Sequence, residues 1–566
     1  FTSVLPVLYK DLKINFLDTP GYTDFVGEVV SAMRVADCAL ILVDSVAGLE
    51  VGTEMAFEYA QNFNLPQILV INKMDRENAD FRKALASVQE GTKMRLIPMQ
   101  LPWGEKADFK GVIDLVSMKA FPAEGKTAVE IPAEYAAEAA DARTALIEAA
   151  AEGEDALLEK YLENGDLTPD ETLKGLHKAI QNSNVIPVLV ASGAHAIGVG
   201  PLLDALANLA PAPNERPAVK AISPRGEVEL RADDTGPLAA YVWKTTADPF
   251  VGRLTYFKVY SGVISTDSRV WNSVKGEEER LASVQVPMGK DNLPVAVLHS
   301  GDIGTVAKLT VTTTGDTLTT KEQNLKLPEP EYPHPLYRVA LSPKTQSDAA
   351  KLTQTLPRLC EEDLTLTWNM EPATKQTLLF GMGDQHIDVA IRRAEQKFQL
   401  NLNLLEPKVP YEEHITREAS ATYRHKKQTG GHGQFGDIKI KMDPLERGQK
   451  FEFVNAIFGG SVPRQFIPAV EKGIVEAAEK GYLAGFPVVD FKVTLYDGQY
   501  HDVDSSEMSF KMAARKAFKL GMEQAKAALL EPIMQVEVVG PVEYAGDLMG
   551  DMNSRRGRIQ GMDTKG

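Results

Sequence analysis

The first residues that could do chemistry are Asp18 and Gly21, the ends of the tetrapeptide DTPG. An apolar run of strand length, residues 14–17, comes directly before it. A carboxylate at a strand end can hold Mg²⁺ through water, and the backbone N–H of a glycine can come close to a terminal phosphate. The tetrapeptide therefore predicts a site for phosphate and Mg²⁺, although a simple turn has the same pattern.

A second motif, NKMD at residues 72–75, suits a purine base. The carboxylate of Asp75 can accept two hydrogen bonds from the N1–H and N2–H₂ edge of guanine, an edge that adenine does not offer. The alkyl stem of Lys73 can lie over the purine face. A third motif, ASG at residues 191–193, could donate a backbone N–H to guanine O6. Each motif alone is weak, but the three in this order predict a guanine-nucleotide site.

The elements that would position these motifs alternate between strand and helix patterns. Apolar runs of strand length are separated by helix-like stretches such as 24–36 and 53–64, which is typical of a doubly wound parallel sheet. In such sheets ligands bind beyond the carboxyl ends of the strands, and three of the four runs are followed there by the motifs above. The four runs are residues 14–17, 38–43, 67–71 and 186–190.

Two glycine motifs match nucleotide-binding patterns without the required context. Residues 120–127 (AFPAEGKT) fit a relaxed phosphate-loop pattern, but Pro122 lies inside them and an extended stretch follows. Residues 431–436 (GHGQFG) fit the GxGxxG pattern, but an alternating strand pattern follows. A working loop of either kind follows a strand and begins a helix. We therefore assign a nucleotide to neither, and predict a hairpin loop for the second.

Length and composition indicate a multidomain protein. A chain of 566 residues exceeds the size of one hydrophobic core, so we expect three to five domains. Cys38 and Cys360 form neither a disulfide framework nor a zinc spacing. We find no 18-residue apolar run and no signal-peptide pattern, and predict a cytoplasmic protein without a membrane span. The net charge of −17 argues against nucleic-acid binding by the whole surface, but not against a local basic patch.

The rest of the chain is predicted to form a helical insert, a β-rich domain and an α+β domain. Residues 123–185 predict a helical insert, 211–217 a proline-rich linker, and 218–322 a small β-barrel. Strand-then-helix patterns over 331–405 predict an α+β domain. Within it, we predict that His386 makes a polar contact in a turn rather than binding a metal.

A basic segment, residues 417–441, contrasts with the acidic chain. Its six Lys and Arg residues against two acids leave a local charge of +4, which contact with phosphates requires. Downstream, we expect a turn before a helix capped by Asp504 or Ser505, with an aromatic ring and an imidazole that can stack on unpaired bases. A tip formed by Lys426, Lys427, Gly430, Gly431, Tyr500 and His501 is consistent with contact to RNA, although His501 alone would more often be an ordinary surface histidine.

The chain as a whole resembles elongation factor G, a translational GTPase. INFLDTPGYTDFVGEVVSAMRVADCALILVDSVAGLEVGTE (14–54), NKMDREN (72–78) and FKGVIDLVSMKAF (109–121) resemble its GTPase domain. FVGRLTYFKVYSGVI (250–264), GMGDQHIDV (381–389) and YEEHITREASATYRHKKQTGGHGQFGDIKIKM (411–442) resemble its second, third and fourth domains. The resemblance implies a multidomain α/β and α+β protein: an incomplete doubly wound GTPase domain (1–212, with an insertion at about 100–185), a β-barrel domain (213–325), and three α+β domains (331–405, 406–530 and an incomplete 531–566).

The same resemblance implies roles for the three motifs. The DTPG residues would serve Mg²⁺ and the γ-phosphate, with Asp18 binding the metal through water, and the other two motifs would hold guanine. The implied cofactors are GTP and Mg²⁺. The implied nucleotide-binding residues are Asp18, Thr19, Pro20, Gly21, Asn72, Lys73, Asp75, Ala191, Ser192 and Gly193.

Two departures from the family pattern affect catalysis. The family usually carries His directly after DTPG, where it positions the attacking water, whereas this chain has Tyr22, as in the second type of elongation factor G. A phenol with a pKa of about 10 is no base at neutral pH, but its hydroxyl can hydrogen-bond water. Gly21 and Tyr22 are the catalytic candidates. No phosphate loop or switch threonine precedes DTPG, so we expect a chain cut at both ends that binds GTP poorly alone.

The implied function is a GTPase that couples GTP binding and hydrolysis to tRNA–mRNA translocation or to ribosome disassembly. Its implied partners are the ribosome (ribosomal RNA, and tRNA–mRNA at the decoding site) and ribosome recycling factor, and we expect a monomer. Tyr22 motivates an alternative, a GTP-dependent ribosome-binding factor with slow or absent hydrolysis. A tetracycline-protection factor shares the domain plan, but the loop KKQTGGHGQFG favours elongation factor G.

Overall fold

The computed structural model describes residues 2–124, 127–248, 252–289, 291–428 and 433–564. The chain forms two compact units, one of Phe1–Asn369 with Leu378–Leu405 and one of Met370–Thr377 with Glu406–Gly566. In the described ranges, no helix has both the length and the apolar character that crossing a membrane requires.

Strand and helix alternate over residues 12–98, as predicted, and the insert that follows has consecutive strands and then consecutive helices before a last strand and helix. The strands are β1 (Ser3–Tyr9), β2 (Leu12–Asp18), β3 (Ala39–Asp44), β4 (Gln67–Asn72), β5 (Leu96–Pro98), β6 (Gln100–Trp103), β7 (Gly111–Asp114), β8 (Lys119–Pro122) and β9 (Ile186–Val190). The helices are α1 (Val26–Val35), α2 (Val51–Asn62), α3 (Phe81–Thr92), α4 (Ala136–Ala151), α5 (Asp155–Asn164), α6 (Pro169–Gln181) and α7 (Val199–Leu209).

A parallel sheet with the strand order β3-β4-β9-β5 forms the centre of this region. The central strands β4 and β9 are buried along almost their whole length, which is why the sequence shows them as continuous apolar runs. The strands β6, β7 and β8 form a separate antiparallel sheet, and α4 to α6 form the predicted helical insert. Thr168 caps α6 in a capping box with Glu171, and Pro169 begins the helix.

The sequence prediction for residues 14–17 was wrong in one respect. They lie in a strand, β2, but β2 pairs antiparallel with β1 in a separate two-stranded sheet instead of joining the parallel one. Tyr9 pairs with Leu12, so a two-residue turn joins the strands, and Lys10 in that turn has a left-handed φ of 52°. The residues of this turn carried no Asn-Gly or Asp-Gly signal.

The next region is β-rich, as predicted. Eight strands form one sheet in the order β16-β15-β21-β12-β13-β20-β17-β18, around a core that includes Phe257, Val259 and Leu318. The strands are β10 (Val219–Ser223), β11 (Gly226–Leu230), β12 (Ala239–Asp248), β13 (Gly252–Ser261), β14 (Ile264–Ser265), β15 (Ser268–Asn272), β16 (Glu277–Leu281), β17 (Val284–Met288), β18 (Asp291–Val295), β19 (Val297–Leu298), β20 (Ile303–Ala307) and β21 (Thr317–Thr319).

Residues 337–405 alternate strand and helix in the predicted α+β pattern. The elements are β22 (Tyr337–Pro343), α8 (Gln346–Glu362), β23 (Thr367–Glu371), β24 (Gln376–Gly381), α9 (Asp384–Phe398) and β25 (Leu402–Leu405). The strands β22 and β25 pair antiparallel. Thr345 begins α8 in a capping box with Asp348.

The second unit contains a four-stranded sheet with the order β27-β28-β30-β29, and helix α11 packs against β27 and β28. Its elements are β26 (Glu412–Ile415), β27 (Ala419–Lys427), β28 (Gln434–Pro444), β29 (Phe451–Asn455), α10 (Ile467–Ala478), β30 (Phe491–Gln499), α11 (Glu507–Gln524), β31 (Ala527–Leu530) and α12 (Ala545–Ser554). Of the GHGQFG motif, Gly431 and His432 lie outside the described residues, and Gln434 begins β28 and pairs with Lys427 of β27, as expected for a hairpin. Ser506 caps α11, so the expected cap by Asp504 or Ser505 was wrong by one or two residues.

Candidate functional site

Two of the three predicted nucleotide motifs meet because β4 and β9 are neighbours in the parallel sheet. Asn72 is the last residue of β4, and its Oδ1 accepts hydrogen bonds from its neighbour's backbone, Lys73 N–H (2.8 Å), and from Gly193 N–H (3.0 Å). A Cβ added to Gly193 would lie only 3.6 Å from Asn72 Nδ2. The Asn72 side chain therefore ties the second motif to the third across 121 residues of sequence.

A second interaction between the same motifs involves Asp75. Interaction with the Ser192 hydroxyl is the main cause of the lowered pKa of the Asp75 carboxylate. His195 Nε2 lies 3.6 Å from Asp75 Oδ2. Ser192 is fully buried, whereas the Asp75 side chain is 23% exposed. Asp75 is thus a charged acceptor at the surface of the cleft, with lone pairs left for a ligand. Ala191, next to Ser192, is buried, and its carbonyl accepts from Met74 N–H (3.4 Å).

Lys73 is held by three groups in a left-handed backbone conformation with φ of 63°. Its N–H is bonded to Asn72, its carbonyl accepts from Ser45 Oγ (3.0 Å), and its Nζ lies 2.8 Å from Asp44 Oδ2. Burial works to raise the pKa of Asp44, but hydrogen bonds from Lys73 and from the N–H of Val46 outweigh it and lower that pKa. The charged pair fixes the direction of the lysine stem.

Asp44 was missed as a site residue by the sequence reasoning. It ends β3 and lies in register with Asn72 at the end of β4. A signal was present, because an acid at the carboxyl end of a parallel strand beside NKMD lies at the edge where ligands bind.

The phosphate motif lies at another element. Asp18 is the exposed last residue of β2, and Thr19 and Pro20 are half-buried. A Cβ added to Gly52, at the start of α2, would lie 3.3 Å from the Gly21 carbonyl oxygen, so the turn passes close to that helix. Within the described ranges, no hydrogen bond joins the DTPG turn to NKMD or to ASG.

Tyr22 follows this turn with its side chain 73% exposed, and its carbonyl accepts a hydrogen bond from Phe25 N–H (3.0 Å). The carboxylate of Asp24 accepts the N–H of His386 at the start of α9 (3.2 Å), and the Phe25 ring packs edge-on against the imidazole, with centroids 5.8 Å apart. The residues after Tyr22 are therefore fixed by contacts to α9.

His386 makes the predicted polar contact within its own turn, and it makes a second one with Asp363, which is distant in sequence. Its Nε2 lies 2.9 Å from Asp363 Oδ2 in a buried pair, and its Nδ1 accepts from Met382 N–H (3.1 Å). In the described part of the chain, no three His, Cys, Asp or Glu residues cluster as a metal site would. Mg²⁺ often binds through one or two carboxylates plus substrate phosphates, so a single exposed Asp18 fits that ion.

Four of the six predicted tip residues, Lys426, Lys427, Tyr500 and His501, lie at one end of the second unit. Lys426 and Lys427 are exposed at the end of β27, and within the described ranges no acid pairs with them. Three other cations of the basic segment are neutralised by acids on the same sheet: Arg424 by Asp437 (2.6 Å), Lys439 by Asp497 (2.8 Å) and Lys441 by Asp443 (2.9 Å). Of the cations of this segment that no acid pairs with in the described ranges, Lys426 and Lys427 lie at the hairpin end and Arg417 lies before β27, a distribution that the count of +4 did not show. Gly430 and Gly431 lie outside the described residues.

The loop after β30 lies against the same hairpin. Asp504 accepts from Gly433 N–H (2.9 Å) through its side chain and from Phe435 N–H (2.8 Å) through its carbonyl. His501 Nδ1 accepts from Asp504 N–H (3.2 Å), which leaves the proton of a neutral ring on Nε2. Tyr500 is exposed beside it. This loop is acidic apart from His501, so its aromatic residues suit contact with bases better than with phosphates.

Comparisons with known proteins agree with this arrangement along the whole chain. The elongation factor Tu GTP-binding domain matches residues 2–212, and elongation factor G domain 2 matches 237–321. Elongation factor G domain III matches 332–406, domain IV matches 407–526, and the elongation factor G C-terminus matches 528–566.

Among solved structures, the crystal structure of a protein from Thermus thermophilus is similar over the full length of this chain. The two share 37% sequence identity with a TM-score of 0.80, and the match covers 100% of this chain and 83% of that one. Five consecutive domain matches and this likeness lead to one conclusion. The chain belongs to the elongation factor G family of translational GTPases, which act on the ribosome.

Proposed function

We propose that this protein binds GTP through the three motifs and couples its hydrolysis to tRNA–mRNA translocation or to ribosome disassembly. One observation carries the proposal: the hydrogen bond from the Gly193 N–H to Asn72 Oδ1 joins two motifs that are 121 residues apart in sequence into one cleft. Such a cleft presents a charged acceptor and a lysine stem together. Guanine needs these partners, and adenine lacks the matching edge.

In this proposal each side chain has one task. Asp75 accepts from the guanine edge, Lys73 covers the purine face, and the Gly193 N–H would donate to guanine O6 in place of its bond to Asn72 Oδ1. Asp18 orients water on Mg²⁺, and the Gly21 N–H donates to the γ-phosphate. When bound, GTP with Mg²⁺ supplies the phosphoryl group and the cation that offsets its charge.

Tyr22 would hold the attacking water by a hydrogen bond, without removing its proton. A second candidate function follows from this residue, a factor in which GTP sets the shape while hydrolysis is slow. General base catalysis contributes about 10²- to 10⁴-fold in rate, so a chain without it can be a slow enzyme. We place the protein with the second-type elongation factors on this ground, and prefer that assignment to a tetracycline-protection factor.

The ribosomal contact would be made by the tip. Lys426 and Lys427 would bind phosphates, because they are exposed and without acidic partners in the described ranges, and Tyr500 and His501 would contact unpaired bases. We propose domains at 1–212, 213–325, 331–405, 406–530 and 531–566, with residues 406–530 reaching the decoding site. In disassembly, ribosome recycling factor would be the further partner.

Single-turnover GTP hydrolysis by the full-length protein, with and without ribosomes, tests the proposal. We expect ribosomes to increase the rate of GTP hydrolysis at least about 10-fold, because in this proposal the groups that stabilise the transition state are complete only on the ribosome. A rate that ribosomes do not change would contradict coupled hydrolysis and favour the slow-hydrolysis candidate, provided that GTP still promotes ribosome binding.

A second measurement separates the two ribosomal activities. Toeprinting on a messenger-bound ribosome detects movement of tRNA–mRNA, and light scattering with ribosome recycling factor detects subunit splitting. A protein with neither activity, although ribosomes stimulate its GTP hydrolysis, would contradict both coupled roles.

A further inference from the structure

Phe458 is the only exposed phenylalanine among the residues that the structure describes, and its side chain is 94% exposed. It lies in residues 456–463, between β29 and the short helical turn that leads into α10; we call this segment the glycine loop. A single exposed apolar residue is common on protein surfaces, so exposure alone assigns nothing. The position and the anchoring of Phe458 make it unusual.

The glycine loop lies at the same end of the sheet as the tip. Strand β29 runs parallel to β30, and Asn455, where β29 ends, pairs with Leu495. Parallel strands send the segments that follow them to the same end, and the segment after β30 carries Tyr500 and His501. The strand order places β29 at one edge and β27, with its two exposed lysines, at the other. Three strand spacings separate these edges, about 14 Å.

Both sides of the loop are anchored, so Phe458 stands on a fixed support. Ala456 N–H donates to the Leu495 carbonyl (2.8 Å). Val462 is buried, and a Cβ added to Gly498 would lie 2.5 Å from its Cγ2, so the loop packs tightly on β30. The backbone on both sides of Phe458 is therefore ordered before a partner binds, which lowers the entropy cost of ordering the loop.

Two glycines next to Phe458 leave the backbone open. Gly459 and Gly460 have left-handed φ angles of 70° and 75°, and a Cβ added to either would meet nothing within 4 Å. The left-handed conformation favours glycine, and the absence of side chains leaves room for a partner beside the ring.

We propose that Phe458 is a third contact of the tip, which stacks on an unpaired base of RNA. This rests on the proposed function, in which the tip meets RNA. RNA is the occupant that the surface fits, because a base covers one ring, whereas a protein interface needs a contiguous apolar patch that a lone phenylalanine does not make. Lys426 and Lys427 at the opposite edge add the positive charge that a phosphate backbone requires.

Ribosome binding by variants of the full-length protein tests the stacking. Phe458→Ala should weaken the ribosome affinity by about 5- to 150-fold, which is the loss of one stacked base, and Phe458→Trp should retain it. Leu483→Ala is the matched control, because Leu483 is an exposed apolar residue of the same unit, in the segment that precedes β30. It should have no effect. Equal affinities of Phe458→Ala and wild type, or an equal loss in Leu483→Ala, would overturn the inference.

A crosslinking experiment determines whether Phe458 contacts RNA or protein. A photoreactive benzoylphenylalanine placed at position 458 should crosslink to ribosomal RNA when the full-length protein binds ribosomes with a non-hydrolysable GTP analogue. A crosslink to a ribosomal protein, or none, would overturn the inference while ribosome-stimulated hydrolysis leaves the proposed function intact. A wild-type protein that binds no ribosomes would contradict the proposed function itself.

Discussion

Removal of the Asp44 charge should weaken GTP binding through Lys73, without contact between Asp44 and the nucleotide. In Asp44→Asn the amide oxygen can still accept a hydrogen bond from Lys73 Nζ, now 2.8 Å from the carboxylate, but the ion pair is lost. The lysine keeps its other two anchors, the bonds of its backbone N–H and carbonyl. The substitution therefore tests how far the side-chain direction of Lys73 depends on charge.

The expected size follows from the solvation of the pair. The Lys73 side chain is 44% exposed and that of Asp44 is 15% exposed, so water screens the interaction at one end. A pair of this kind contributes about 0.5–1 kcal/mol, which corresponds to about a 2- to 5-fold increase in the Kd for GTP.

A double-mutant cycle in the full-length protein measures the coupling directly. The Kd for GTP is determined for wild type, Asp44→Asn, Lys73→Met and the double variant at about 0.1 M salt, where exposed charges are partly screened. We expect a coupling energy of about 0.5–1 kcal/mol. Asp267→Asn is the matched control, because it removes a charge from an exposed ion pair with Arg280 outside the cleft. The reasoning is refuted if the effects of the two substitutions on the free energy of GTP binding simply add. It is also refuted if Asp44→Asn alone raises the Kd for GTP about 100-fold, which a positioning role cannot explain.

Four further outcomes are expected. Asp75→Asn should weaken GTP binding about 100-fold or more in equilibrium titrations, because it loses the charged acceptor for guanine. Tyr22→His should raise the ribosome-stimulated single-turnover rate of GTP hydrolysis about 10-fold or more in quenched flow, by supplying a base. Lys426→Ala with Lys427→Ala should weaken ribosome binding and reduce the slope of log affinity against log salt by about 1.5, as two lost phosphate contacts require. Gly27→Ala should lower the free energy of unfolding in urea by about 1–3 kcal/mol, because the added Cβ lies 2.7 Å from a threonine side chain.

Each of these four predictions would be contradicted by a particular result. Unchanged GTP affinity in the Asp75 variant would place guanine elsewhere, and an unchanged rate in the Tyr22 variant would mean that this position does not limit hydrolysis. A salt slope equal to that of wild type would remove the two lysines from the phosphate contacts. A Gly27 variant as stable as wild type would mean that the neighbouring residues can move to accept the added methyl group without loss of stability.

The sequence predicted that the NKMD and ASG motifs would meet, because their placement follows from strand order. Runs as apolar as β4 and β9 are recognisable as buried parallel strands, and neighbouring parallel strands bring the residues at their carboxyl ends together. Asn72 and Gly193 therefore met as expected. The partner of β2 could not be predicted, because the pairing depends on a left-handed Lys10 in a turn without a glycine signal.

Which side chains form ion pairs also could not be predicted from the sequence. A count of charges predicted a basic segment, but Lys439 is neutralised by Asp497, which is 58 residues away and contributed by another strand. The helix cap was misplaced for a similar reason. Asp504 is a good capping residue, but it accepts from the backbone of Gly433 instead, a contact set by the packing of two loops.

The most direct test of the account is a competition titration of GTP against ATP on the full-length protein in the presence of Mg²⁺. If Asn72, Lys73, Asp75 and Ser192 surround one guanine base, GTP should bind at least about 100-fold more tightly than ATP, because adenine would leave the Asp75 carboxylate without its donors. Equal affinity for the two nucleotides would contradict the assignment of this cleft.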